Sequence, residues 1–177
     1  MLSKIPTGVS LRSFFSGLVE QVFMTEVGIC DPAVTDYLGQ MLVDFVHVDD
    51  IYRLRAVDGE TIRDVSKMQA EASLSPRPDE STRTRIINRY IGDFTLFWAG
   101  IYPENLRRPR SGGDRLELFL QQGRRSYGIA SELSRPNADP PGELLRQLSR
   151  QFECCVHGLH LVRADWEQTI QSSKNQN

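Results

Sequence analysis

Residues 86–103 read IINRYIGDFTLFWAGIYP, and in them Ile86, Ile87, Tyr90, Ile91, Phe94, Phe97, Trp98 and Ile101 recur at the three- and four-residue steps of an α-helix. So wide an apolar cover predicts a helix at the centre of a helical domain rather than on its surface. Pro103 closes it, because proline lacks the amide that a helix interior needs. One residue breaks the pattern. Asp93 stands in the row Ile86, Tyr90, Asp93, Phe97, where an apolar side chain is expected.

The flanking segments repeat the helical period. Ser10 can cap a helix carrying Leu11, Phe14, Phe15, Leu18, Val22 and Phe23 on one face, with Gly28 as its stop. Asp31-Pro32 is a strong start signal, since Asp accepts bonds from orphan amides and a first-turn Pro loses no donor. From there Val34, Tyr37, Leu38, Met41, Leu42, Phe45, Val48 and Tyr52 predict a long helix, ended by the Asp58-Gly59 turn. Ile62, Val65, Met68 and Ala72 suggest a short third helix, and the proline-bearing stretch LSPRPDEST at 74–82 reads as a loop.

After the central helix and the polar stretch ENLRRPRSGG, Leu116, Phe119, Leu120, Tyr127 and Leu133 outline a fifth helix. Pro140-Pro141 opens a sixth through Leu144, Leu145, Leu148, Phe152, Val156, Leu159 and Trp166. No segment sustains period-two alternation, although residues 52–62 around Asp58-Gly59 could form a small hairpin. The fold expectation is all-α: one domain over residues 1–169, a bundle of about six helices, with 170–177 as a disordered tail. Gly92, Gly100, Gly123, Gly128 and Gly158 fall inside predicted helices, where each costs about 1 kcal/mol relative to Ala. They mark either close helix crossings or misplaced helix ends.

Composition narrows the function classes. The chain has 177 residues, 40% hydrophobic, which is long enough for a core without disulfides or a structural metal. With 21 basic and 23 acidic residues the formal charge is −2, which argues against a nucleic-acid partner. Only Lys4, Lys67 and Lys174 are lysines; a GC-rich genome explains that bias more simply than an anionic partner does. Cys30, Cys154 and Cys155 form no CxxC motif, and adjacent cysteines rarely bridge. The start MLSKIPTGVSLRSFF shows no signal-like apolar run, and the apolar stretch 96–102 is far short of the roughly 20 residues that cross a bilayer. The expectation is a cytoplasmic protein with no membrane partner.

Four constellations could carry chemistry. A buried Asp93 needs an Arg or several donors, or else its pKa rises. It is read either as a base or ligand anchor, or as a buried ion pair or helix-to-helix hydrogen bond with an arginine of the fifth helix; the structural reading is favoured. Second, Arg107, Arg108, Arg110, Arg115, Arg124 and Arg125 stand against Asp114 and Glu117, with Gly112-Gly113 before a helix start, a setting that can hold a phosphate or carboxylate. Arg107, Arg108, Arg124 and Arg125, with Asp93 and with Tyr127 as an aromatic wall, make the candidate ligand set. No Walker-type or GxGxxG pattern accompanies it.

Third, Asp44 and His47 at i, i+3 have the spacing of the carboxylate-His pairs in di-iron bundles, and Glu153, His157 and His160 share one face of the sixth helix. A metal site would need those two helices side by side. Fourth, Cys154 or Cys155 beside His157 or His160 could form a nucleophilic pair, but a cysteine in an apolar row is usually inert.

Three stretches, DYLGQMLVDFVHVDDIYR at 36–53, GDFTLFWAGIYPE at 92–104 and QQGRRSYGIASEL at 121–133, together resemble a group of uncharacterised, predicted-helical bacterial proteins. The resemblance spans about residues 20–167 and implies an all-helical domain. It brings no activity, cofactor or catalytic residue. The sequence therefore leads to a non-catalytic cytoplasmic helical domain that binds a protein partner, its own second copy included as a homodimer, or a small amphipathic or anionic ligand. The alternative is a metal-binding protein or metal-dependent enzyme using Asp44, His47, Glu153, His157 and His160. No cofactor follows from the residues.

Overall fold

The computed structural model describes residues 10–56, 80–106 and 115–174. The architecture is all-α, and the described residues form a bundle of six α-helices: α1 Leu11–Val22, α2 Pro32–Ala56, α3 Glu80–Ile101, α4 Arg115–Glu132, α5 Gly142–Arg150 and α6 Phe152–Lys174. The Asp58-Gly59 turn, the short helix around 62–72 and most of the loop at 74–82 lie outside the described residues. No described helix is long and apolar enough to cross a membrane.

Local chemistry sets the helix ends. The Ser10 hydroxyl accepts the Ser13 amide at 3.1 Å, and Phe15, Val19 and Val22 form the buried face of α1. α1 then widens into a π-helical turn, Phe23–Val27, which ends at Gly28 with φ +79°, a left-handed conformation that glycine adopts without a Cβ penalty. The Asp31 carboxylate accepts the Ala33 amide at 2.9 Å and so caps α2. Val34, Leu38, Met41, Leu42 and Phe45 are its buried stripe.

α3 is the central helix. Every residue from Ile91 to Ile101 is buried, polar ones included. α2, α4 and α6 all pack on it, and α1 lies against both α2 and α6. α3 and α4 run antiparallel, since Gly92 meets Tyr127 while Thr95 meets Gly123. The expected sixth helix is two helices, bent at Gln151. The apolar row continues through the bend, but α5 packs on α4 whereas α6 packs on α3 and α1, so the chain must change direction. α6 continues to Lys174, into the stretch expected to fray.

Of the five helical glycines singled out in the sequence, four are crossings. A Cβ on Gly92 would stand 2.6 Å from Tyr127 Cδ1, on Gly100 2.7 Å from Leu159 Cβ, and on Gly158 2.5 Å from Phe23 Cε2; on Gly123 it would collide with Phe152 and Thr95. Gly128 is the exception, with Ser149 Oγ at an ordinary 3.4 Å.

Two arginines fasten helix ends that apolar packing leaves polar. On α6, Arg163 donates to Ile101 O at the end of α3 and pairs with Glu104 and Glu167. Arg85, only 8% exposed, donates from Nε to Ser134 Oγ at 2.8 Å and from Nη2 to Pro140 O at 2.6 Å, which holds the α4–α5 corner against α3. Arg85→Met should keep the apolar stem but orphan a buried carbonyl. The expected loss is about 2 kcal/mol of unfolding free energy, read by urea denaturation; an unchanged midpoint would show that the corner holds without it.

Candidate functional site

Asp93 is 6% exposed, on the face of α3 that lies between α2 and α4. Its Oδ1 accepts two tyrosine hydroxyls, Tyr37 Oη from α2 at 2.5 Å and Tyr127 Oη from α4 at 2.7 Å. Its Oδ2 faces the Nε of Arg89, one turn earlier on α3, at 3.4 Å. The same Nε donates to Tyr37 Oη at 3.2 Å, with the guanidinium over the Tyr37 ring. One carboxylate thereby ties three helices together.

The geometry depends on the residue beside it. Because Gly92 has no Cβ, the Tyr127 ring lies directly on the backbone of α3, and its hydroxyl reaches the next side chain along, Asp93. The ring is fully buried and leans on Phe152 of α6 at a centroid distance of 6.0 Å. Tyrosine suits both halves of this arrangement, with an apolar body for the core row and a polar tip for the buried acid.

Burial pushes the Asp93 carboxyl up to about 6, against the opposing effect of the two hydroxyls and the Arg89 charge. Burial, reinforced by the charge on Asp93, also holds the Tyr37 and Tyr127 hydroxyls above the ordinary tyrosine range, so both stay protonated donors. Elsewhere, burial pushes the Cys155 thiol up to about 12, with Cys154 and Glu153 adding to it, which leaves almost no thiolate at neutral pH. Its neighbour Cys154 is exposed.

Of the residues singled out in the sequence, Asp93 and Tyr127 come together. The arginine that Asp93 meets is Arg89 of its own helix rather than one from the fifth predicted helix. Arg124 instead pairs with Glu153 of α6 at 3.2 Å, both side chains about half exposed (55% and 52%), and Arg125 is exposed beside it. Arg107 and Arg108 lie outside the described residues. Asp44 is exposed and accepts from Gln40 at 2.8 Å; the side chain of His47 lies outside the described residues. His157 is exposed and His160 half-buried on α6. Among the described residues, no group of three or more His, Cys, Asp or Glu is placed to hold a metal ion.

Sequence reasoning missed Tyr37, Tyr127 and Arg89 as partners of Asp93. The i, i+4 spacing of Arg89 and Asp93 was a usable signal; the tyrosines, each in an apolar row, gave none. Compared with known proteins, the chain matches no family model, no curated protein and no solved structure.

Proposed function

We propose that the chain is a non-catalytic helical binding domain, bacterial and cytoplasmic, whose interior is a fixed scaffold and whose exposed Arg124–Arg125 edge engages an anionic group. That group belongs to a small phosphate- or carboxylate-bearing ligand or to an acidic side of a protein partner, a second copy included. The observation that carries the reading is the occupancy of Asp93. Its carboxylate is bonded by the chain's own two hydroxyls and guanidinium and is enclosed by three helices, a setting for cohesion rather than for a substrate. The one buried thiol of the described residues is equally unsuited to attack.

The surface supports the binding half of the proposal. The Arg124–Glu153 pair is an exposed one of the kind worth about 0–1 kcal/mol, so an incoming phosphate or carboxylate can replace Glu153 at little cost. Arg adds a planar fork suited to such groups. Native mass spectrometry of the gently purified protein, compared with its denatured mass, reads noncovalent cargo and subunit number together. Titration with inorganic phosphate should then show binding that the Arg124→Ala/Arg125→Ala variant loses, at unchanged melting temperature. Equal affinity in the variant would remove the anion site from the proposal.

A further inference from the structure

We infer that Arg85 and Arg89, one turn apart on α3, hold the carboxylate of a small amphipathic acid whose apolar end lies on Ile86. The first observation is a buried cation without a counter-charge. Arg85 is 8% exposed, yet both of its bonds go to neutral oxygens, Ser134 Oγ and Pro140 O. No carboxylate of the described residues pairs with it. Charges taken out of water are ordinarily paired, because their desolvation is otherwise uncompensated. Nε and Nη2 make the two bonds, which leaves the Nη1 edge for a further acceptor.

The second observation is an arginine fixed from behind. The Arg89 Nε faces Tyr37 Oη at 3.2 Å and Asp93 Oδ2 at 3.4 Å, and its guanidinium lies over the Tyr37 ring. Its two Nη groups are bonded to no described residue, and the side chain is 37% exposed. Residues four apart on a helix are neighbours, so both arginines rise from one stretch of α3. Arg85 is tied to the α4–α5 corner and Arg89 to α2, and α2 touches α5, which places the pair at one seam. Among the described residues Asp93 alone pairs with either arginine, which leaves one positive charge in excess. A carboxylate balances that charge, whereas a dianionic phosphate overshoots it, and planar guanidinium edges match its two oxygens. Ile86, 54% exposed and one turn before Arg89, offers an apolar neighbour to whatever the carboxylate carries.

The test is calorimetric titration with sodium octanoate of the Arg124→Ala/Arg125→Ala variant, in which the exposed edge of α4 contributes nothing, so that this site stands or falls apart from that one. Octanoate should bind in this background. Adding Arg89→Gln should weaken it by about 10-fold or more, through the loss of charge-assisted bonds. Adding Arg85→Lys, which keeps the charge but loses the second edge, should weaken it as well. Acetate, which has no chain to lay on Ile86, should bind at least about 10-fold more weakly than octanoate. Absence of octanoate binding overturns the proposal, as does binding that both α3 substitutions leave unchanged. Acetate or inorganic phosphate bound as tightly as octanoate overturns the amphipathic class of ligand. If Arg89→Gln and Arg85→Lys do not fold, Ile86→Glu decides, because it sits on the surface and sets a carboxylate beside Arg89. Octanoate affinity lowered about 10-fold or more supports the site, and unchanged affinity overturns it.

Discussion

Asp93→Ala is expected to cost about 3–5 kcal/mol of unfolding free energy at neutral pH, among the largest effects of any single truncation in this chain. The carboxylate is the shared acceptor of Tyr37 and Tyr127, and the Tyr127 ring is fully buried. Removing the acceptor leaves two hydroxyls without their partner in the interior, each worth about 1–3 kcal/mol when unsatisfied, and frees the charge of Arg89. The loss comes from orphaned partners rather than from any large net value of the network. That distinction is testable. Asp93→Leu combined with Tyr37→Phe and Tyr127→Phe removes acceptor and donors together, and Arg89, already partly exposed, can turn to water. The triple variant should recover at least half of what Asp93→Ala loses, measured by urea unfolding of the whole set. If it is as unstable as the single variant, the polar contacts themselves hold the bundle and the scaffold account is wrong.

The parts of this fold legible in the sequence are those written in one residue and its near neighbours. Ser10, Asp31-Pro32 and Gly28 set helix ends through hydrogen bonds and a backbone angle within a few positions, and each acts where the sequence placed it. The apolar period of α3 likewise announced its central place, because a helix buried on every side must be apolar on every side. The opposite holds for contacts made across the fold. Tyr37 and Asp93 are 56 positions apart, Tyr127 and Asp93 34, and nothing local to either tyrosine distinguishes a hydroxyl aimed at an acid from one aimed at solvent. The bend at Gln151 was hidden for a related reason. No Gly or Pro marks it, and it exists because α5 and α6 answer to different neighbours. Asp93 lies between these cases. Its misfit in an apolar row was visible, while the identity of what satisfies it was not.

The intrahelical glycines carry the same lesson into a second prediction. Gly123→Ala should destabilise the protein by about 2–4 kcal/mol, although alanine is the better helix former by about 1 kcal/mol. Its Cβ would enter the space of Thr95 Oγ1 and of the Phe152 ring. Neither neighbour can give way freely. The Thr95 hydroxyl is held against its own helix by Ile91 O at 2.7 Å and Gly92 O at 3.1 Å, and Phe152 is fully buried beneath the α5–α6 bend. Pushing α4 off α3 to make room would also draw Tyr127, one turn further along α4, away from Asp93. The polar centre and the close crossing should therefore fail together. Gly17→Ala supplies the control. It lies in α1 with nothing within 4 Å of the new methyl group, so propensity alone should act, raising stability by about 0.5–1 kcal/mol. Urea unfolding of the two variants should give shifts of opposite sign. A gain for both would mean that α3 and α4 do not cross at Gly123, and the placement of Tyr127 over Gly92 would fall with it.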